Sequence, residues 1–259
     1  MDTQLYLDFA RGAMDKSRSF INKKCREGFR VSIKADSSLV TEVDRETEQL
    51  LRHEIEEKFP THGIVGEEFG VTNKDAEFKW YLDPIDGTIS FSHGIPLYGT
   101  IMALHQGATP LVGIIDHPGL DRCYWAAQGS GAFCNGEKIT ITDLTSSADV
   151  AKEIIATGDL KQFELSGTMS AYNNLLANHG LVRTIPDCFG HTLAAQGAVG
   201  AMIDFHVNAW DIAATQLIIE EAGGKFLVLK QFALPSGKLK YNIICGKPKV
   251  VAWLSTIFK

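Results

Sequence analysis

The segment Trp80-Tyr81-Leu82-Asp83-Pro84-Ile85-Asp86-Gly87-Thr88 constrains this chain most, because an apolar strand runs directly into two carboxylates separated by only two residues. Pro84 biases Asp83 toward extended backbone and fixes its own φ, so the chain turns rigidly and both acids can converge on one point. Gly87 lets backbone approach a ligand closely, and amides near Gly87 and Thr88 can receive a phosphate oxygen if a helical turn begins there. The plain alternative is an ordinary turn capped by its own aspartates.

Three further acidic stations accompany it. His62-Gly63-Ile64-Val65-Gly66-Glu67-Glu68 delivers two carboxylates at the end of a short apolar strand, where loops commonly carry functional groups and where a solvated turn is the simpler reading. Trp210-Asp211 precedes an amphipathic segment at 212–222, so Asp211 alone reads as an N-cap. The stretch from Lys34 through Asp36 to Thr41 and Asp44 ends in T-x-x-D, the pattern of a capping box. That helix end can also orient a hydroxyl or a water if it faces the other acids. Several carboxylates cannot stay ionised at close range unless a cation offsets their repulsion. Two divalent ions about 3.5–4 Å apart would resolve the conflict, clamp phosphoryl oxygens and activate a water.

With 45% hydrophobic and 22% charged residues among 259, the chain can bury a sizeable core. The net charge of −6 argues against general nucleic-acid binding, which draws on Lys and Arg facing a polyanion. Cys25, Cys123, Cys134, Cys188 and Cys245 are scattered with no C-x-x-C pair, as expected of reduced thiols in a cytoplasmic protein. The opening Met1-Asp2-Thr3-Gln4-Leu5 has no basic n-region, and no apolar run reaches roughly 18 residues, so neither a secretory leader nor membrane attachment is expected.

Apolar spacing predicts helices over 5–20 and 42–59, strands near 64–65 and 80–82, and a meander of antiparallel strands over 97–133. After the turn signal Asn135-Gly136 the pattern changes to strands near 154–155 and 181–182, alternating with helices near 161–177 and 189–197. A helix over 212–222, stopped by Gly223-Gly224, and strands near 226–229 and 241–245 finish the chain. These patterns describe an α+β chain with an N-terminal α+β lobe over 1–135 and a C-terminal α/β lobe over 136–259.

Taken together and in this order, Gly66-Glu67-Glu68, Asp83-Pro84-Ile85-Asp86-Gly87-Thr88 and Trp210-Asp211 resemble the signature of the inositol monophosphatase superfamily of Mg²⁺-dependent, lithium-sensitive phosphatases. The resemblance runs over nearly the whole chain and implies a layered α-β-α-β-α sandwich. It also implies that Glu67, Asp83, Asp86 and Asp211 bind two or three Mg²⁺ ions by carboxylate and Ile85 by its carbonyl. These are hard oxygen donors suited to that ion. Thr88 would help activate the attacking water, with Asp44 orienting Thr88 and Glu67 contacting the same water, while Asp86 and the Gly87 and Thr88 amides meet the phosphate. A homodimer is the usual assembly in the family.

Substrate choice points to Pro186-Asp187-Cys188-Phe189-Gly190-His191 and to Asp204. Inositol enzymes usually carry a small-residue G-[ST]-A-A sequence here, whereas D-C-F-G-H looks like the histidinol-phosphatase branch, as do 99–104 and 113–116. Histidinol phosphate carries a cationic amine, which Asp187 and Asp204 can pair with. Asp187 also reads as an N-cap after Pro186, and one residue can do both. His191 is more often structural on such a helix, and Cys188 reads as packed. The rivals are an inositol-phosphate or broad sugar-phosphate phosphatase, and a catalytically silent metabolite-binding scaffold of the same fold.

Overall fold

The structure is a computed structural model that describes residues 3–34 and 38–258; Asp36 lies outside them. The chain opens with α1 (Thr3–Glu27), then β1 (Val31–Ile33) and β2 (Leu39–Thr41), an antiparallel pair, and α2 (Glu42–Lys58). In α1, Leu7, Ala10, Ala13, Met14, Ser17 and Ile21 make one buried stripe at helical spacing. That stripe continues past the expected end at 20, so the helix does too.

Next come β3 (Gly63–Gly66), β4 (Gly70–Thr72), β5 (Phe78–Asp86), the short α3 (Thr88–Ser92), β6 (Gly99–Gln106), β7 (Thr109–His117), β8 (Arg122–Ala127), β9 (Ala132–Cys134) and β10 (Glu137–Ile139). Within the described residues these strands form an eight-stranded sheet in the order β10-β9-β8-β7-β6-β5-β3-β4, with only β3 and β5 parallel. One face is covered by α1 and α2, whose Leu7, Met14, Leu51 and Ile55 pack on Trp80, Leu82, Met102 and Leu104.

Asn135 and Gly136 both have positive φ, 49° and 88°, as a tight two-residue hairpin turn requires. That turn joins β9 to β10 inside the first sheet. The expected lobe boundary at 135 therefore falls within a hairpin, and the sheet runs on to Ile139.

The second half contains β11 (Ile155–Thr157), α4 (Leu160–Leu165), α5 (Met169–Asn178), β12 (Val182–Thr184), α6 (Asp187–Ala195), β13 (Ala201–Val207), α7 (Ala209–Glu221), β14 (Lys225–Ala233), β15 (Leu239–Gly246) and α8 (Pro248–Ile257). Its sheet has the order β12-β11-β13-β15-β14. The helix expected over 161–177 is two helices, because Gly167 at φ 73° breaks it between α4 and α5. Strand β13 escapes pattern reading because it is buried on both faces and so lacks alternation.

Helices α6 and α7 lie between the sheets. Their Cys188, Ala194, Ile212, Leu217 and Ile218 share one core with Ile101, Ile115 and Ala126 of the first sheet and Met202 and Ile243 of the second. Helix α7 consequently buries Ile212, Ala213, Ala214, Leu217, Ile218 and Ile219 on more than one side instead of a single amphipathic stripe, with Gln216 and Glu220 left at the surface. On the outer face of the second sheet, Phe163, Tyr172, Leu175, Val250 and Leu254 of α4, α5 and α8 close a third core. The layers are thus α-β-α-β-α, as the resemblance implies.

Candidate active site

The acids meet where β5 ends. In a regular strand residues three apart face opposite ways, but the β5–β6 register shifts between Asp83 and Asp86, and Thr100 Oγ1 donates to Pro84 O at 2.8 Å to hold the irregular turn. Asp83 is 1% exposed. Gly87 follows at φ 89°; a Cβ there would lie 3.0 Å from both Asp187 Oδ2 and Leu97 O. Only glycine satisfies that turn and that approach. The first amides of α3, which starts at Thr88, have no intrahelical acceptor.

Thr88 Oγ1 lies 3.1 Å from Asp44 Oδ1 and 3.1 Å from Ile85 O. Asp44 Oδ2 meanwhile accepts from Thr41 N at 2.8 Å and from the Thr41 hydroxyl, while Thr41 Oγ1 caps α2. The capping-box reading of Asp44 holds through Oδ2, and its Oδ1 remains turned to the Thr88 hydroxyl. Ile85 O keeps a lone pair beyond its bond to Thr88.

Glu67 sits just beyond β3, where its amide donates to Leu82 O at 3.2 Å. Lys34 Nζ donates to Glu67 Oε1 at 2.8 Å and to Glu68. Asp211 is not the N-cap of α7. The helix begins three residues earlier than expected, Asn208 takes the cap position, and Asp211 accepts from Asn208 N at 2.6 Å in a second capping box.

The electrostatics tie these residues to one neighbourhood. Burial, then the charges of Glu67, Asp86, Asp211 and Asp44, push Asp83 well above the ordinary carboxylate range. Burial with Asp187 and Asp211 does the same to Asp86, against a hydrogen bond from the Cys188 amide. Asp211 rises to about 6, chiefly by burial, opposed by the Asn208 amide. Burial also raises Asp44. Burial lowers Lys240 on β15, although Asp211 and Glu67 oppose the shift.

Among the described residues no group of three or more His, Cys, Asp or Glu side chains is drawn up tightly enough to hold a metal ion as it stands. Asp86, Asp211 and Glu67 each give an oxygen to Cys188, Asn208 or Lys34 instead. The donor set nevertheless fits a hard divalent cation. It is all oxygen, its members repel one another in low dielectric, and Asp83 Oδ1 is buried with no donor among the described residues.

A cleft of about 380 Å³ opens onto Glu67, Gly87 and Thr88 on one side and Asp159, Pro186 and Asp187 on the other. Asp187 is the first residue of α6, at φ 59°, and makes no capping bond, so the N-cap reading is not realised. Burial and the nearby Asp204 and Asp159 raise it to about 7. Asp204 stands behind this wall. It is 2% exposed, and its Oδ2 is 2.9 Å from His191 Nε2, whose Nδ1 meets Thr215 Oγ1 at 3.0 Å. That arrangement makes His191 structural and gives Asp204 a partner within the chain, so Asp204 is not a wall of the cleft. Cys188 is fully buried, and burial raises its thiol.

Sequence reading passed over three neighbours of these acids: Lys34 is visible only as the first residue of a station, and Asp159 and Lys240 carry no motif.

Comparison with known proteins identifies the family. The model of the inositol monophosphatase family matches residues 2–253. A histidinol-phosphatase of Chlorobaculum parvum is 38% identical over 224 residues, covering 86% of this chain and 84% of its own length. Another, from Mycobacterium tuberculosis, is 32% identical over 210 residues, with 80% and 81% covered. The crystal structure of the extragenic suppressor protein SuhB from Bartonella henselae has the same fold, with a TM-score of 0.85 at 24% identity over 98% of both chains. The chain therefore belongs to the inositol monophosphatase family and is a phosphoric monoester hydrolase.

Proposed function

We propose that this phosphatase is Mg²⁺-dependent and hydrolyses histidinol phosphate to histidinol. The observation that carries the metal requirement is Asp83 Oδ1, buried without a donor among Glu67, Asp86 and Asp211. Those four carboxylates and the Ile85 carbonyl would hold two or three ions. When bound, Mg²⁺ supplies charge neutralisation and activation of water.

The chain's own residues supply orientation and proton handling. The Thr88 hydroxyl has one proton and two acceptors, Asp44 Oδ1 and Ile85 O, which leaves its lone pair to accept a proton from the attacking water. Asp44, raised by burial, suits the acceptor end of that relay. The Gly87 and Thr88 amides and Asp86 meet the phosphoryl group, and attack by water oxygen breaks the P–O ester bond with the alcohol leaving. No covalent phosphoenzyme is needed.

For the substrate, the support is the acidic wall of the cleft. Asp187 and Asp159 face the space beside Thr88, and a protonated amine satisfies them where a neutral polyol would leave them unpaired. Asp204 would act through this wall by its charge. The relatives named histidinol-phosphatase agree with that choice. Phosphate release from histidinol phosphate, inositol 1-phosphate and a sugar phosphate, compared by kcat/KM with Mg²⁺, tests it. A preference for inositol 1-phosphate overturns the substrate and leaves the chemistry.

A cytoplasmic homodimer completes the reading. The five cysteines are free, and no helix among the described residues is long and apolar enough to cross a membrane. Light scattering giving the mass of one chain would sink the dimer.

A further inference from the structure

Three buried polar residues follow one another at one-turn spacing along α2. Asp44 reaches Thr88; Glu48 is 0% exposed; Arg52 is 7% exposed. Arg52 Nε donates to Glu48 Oε1 at 2.7 Å. A buried pair of this kind recovers little of its desolvation cost from mutual attraction alone, so its other bonds matter. Those bonds all go to the loop that carries Glu67. Glu68 N donates to Glu48 Oε2 at 2.7 Å, Phe69 N donates to Oε1 at 3.2 Å, and Arg52 donates to Gly70 O.

With Glu67 N on Leu82 O, three successive amides are anchored, and the carbonyl that follows is held by the same ion pair. The approach is close enough that a Cβ on Gly66 would collide with the Glu48 carboxylate and lie 2.8 Å from Arg52 Nη2.

We propose that Glu48 and Arg52 are positioning residues that clamp the 66–70 loop so that Glu67 presents its carboxylate to the divalent metal. This rests on the metal reading above. The surface of α2 offers an internal comparison, because Glu54 pairs with exposed Lys16 and, among the described residues, has no hydrogen bond to the loop.

The test is direct Mn²⁺ binding to the full chain, followed by electron paramagnetic resonance, alongside Mg²⁺ dependence of phosphate release. Glu48→Gln puts an amide donor where the loop offers only N–H groups. It is expected to weaken Mn²⁺ binding about tenfold, the usual effect of losing an outer partner of a ligand. Glu54→Gln should bind as the wild type does. If Glu48→Gln does not fold, Arg52→Lys decides, since a lysine lacks the planar fork by which Nε meets Glu48 while Nη2 meets Gly70 O; a loss of about threefold to tenfold in Mn²⁺ affinity is expected. Unchanged affinity in the folded variant overturns the clamp. A wild type that binds no Mn²⁺ overturns the metal reading instead.

Discussion

The Thr88 hydroxyl lies 3.1 Å from Asp44 Oδ1, while the other Asp44 oxygen closes the capping box of α2 with Thr41. One carboxylate thus ties the start of a helix to the hydroxyl beside the clustered acids, and the proposed catalytic role can be tested apart from the structural one.

Asp44→Asn keeps the size and the bonds to Thr41 but removes the charge that, in the proposed relay, accepts the Thr88 proton. Turnover should fall about 10²-fold or more with KM changed little, as for loss of a general base. Steady-state kinetics decide; a rise in KM with kcat intact contradicts the relay.

The cluster makes metal-free stability depend on pH with a definite sign. Asp83 and Asp86 lie well above their ordinary value of 3.8, Asp211 is raised to about 6 and Asp187 to about 7. Raised folded-state values mean that the contribution is complete below the unfolded pKa and is lost as pH rises through the folded one. The chelator-treated protein should therefore melt lower at pH 8 than at pH 5, and Mg²⁺ should raise Tm more at pH 8. Equal Mg²⁺ shifts at both pH values would contradict it.

Gly87→Ala asks an L-residue to hold φ near 89° and places a methyl 3.0 Å from Asp187 Oδ2 and Leu97 O. A stability loss of about 1–2 kcal/mol is expected from the backbone alone. Activity should fall further than stability, because the displaced amide no longer meets the phosphate. Denaturant melts and kcat at saturating Mg²⁺ measure the two separately.

Asp187→Asn should raise KM for histidinol phosphate about tenfold and leave KM for inositol 1-phosphate nearly unchanged, since only the first carries an amine. Equal effects on both substrates would remove Asp187 from recognition of the amine.

Much of the site is legible along the chain. Asp83, Asp86, Gly87 and Thr88 are contiguous, and Pro84 and Gly87 dictate their local geometry through backbone sterics alone. Glu67 can be read from its place at the end of an apolar strand, whereas Asp211 by itself reads as an N-cap and joins the set through the family signature. Asp204 could not be read correctly, because whether an acid faces a cleft or a histidine depends on which helix covers its strand; here α6 brings His191 onto it. Likewise, apolar burial on more than one side of α7 makes sense only once a sheet lies on each side.

Local order along the chain determined the element types, the rigid acidic turn and the oxygen chemistry of the donors, because these follow from neighbours within a few residues. Tertiary packing decided which oxygens remain without partners, which acids share a neighbourhood, and that Glu48 and Arg52 hold the loop bearing Glu67. Burial and mutual charge depend on groups tens of residues apart, and no local pattern encodes them.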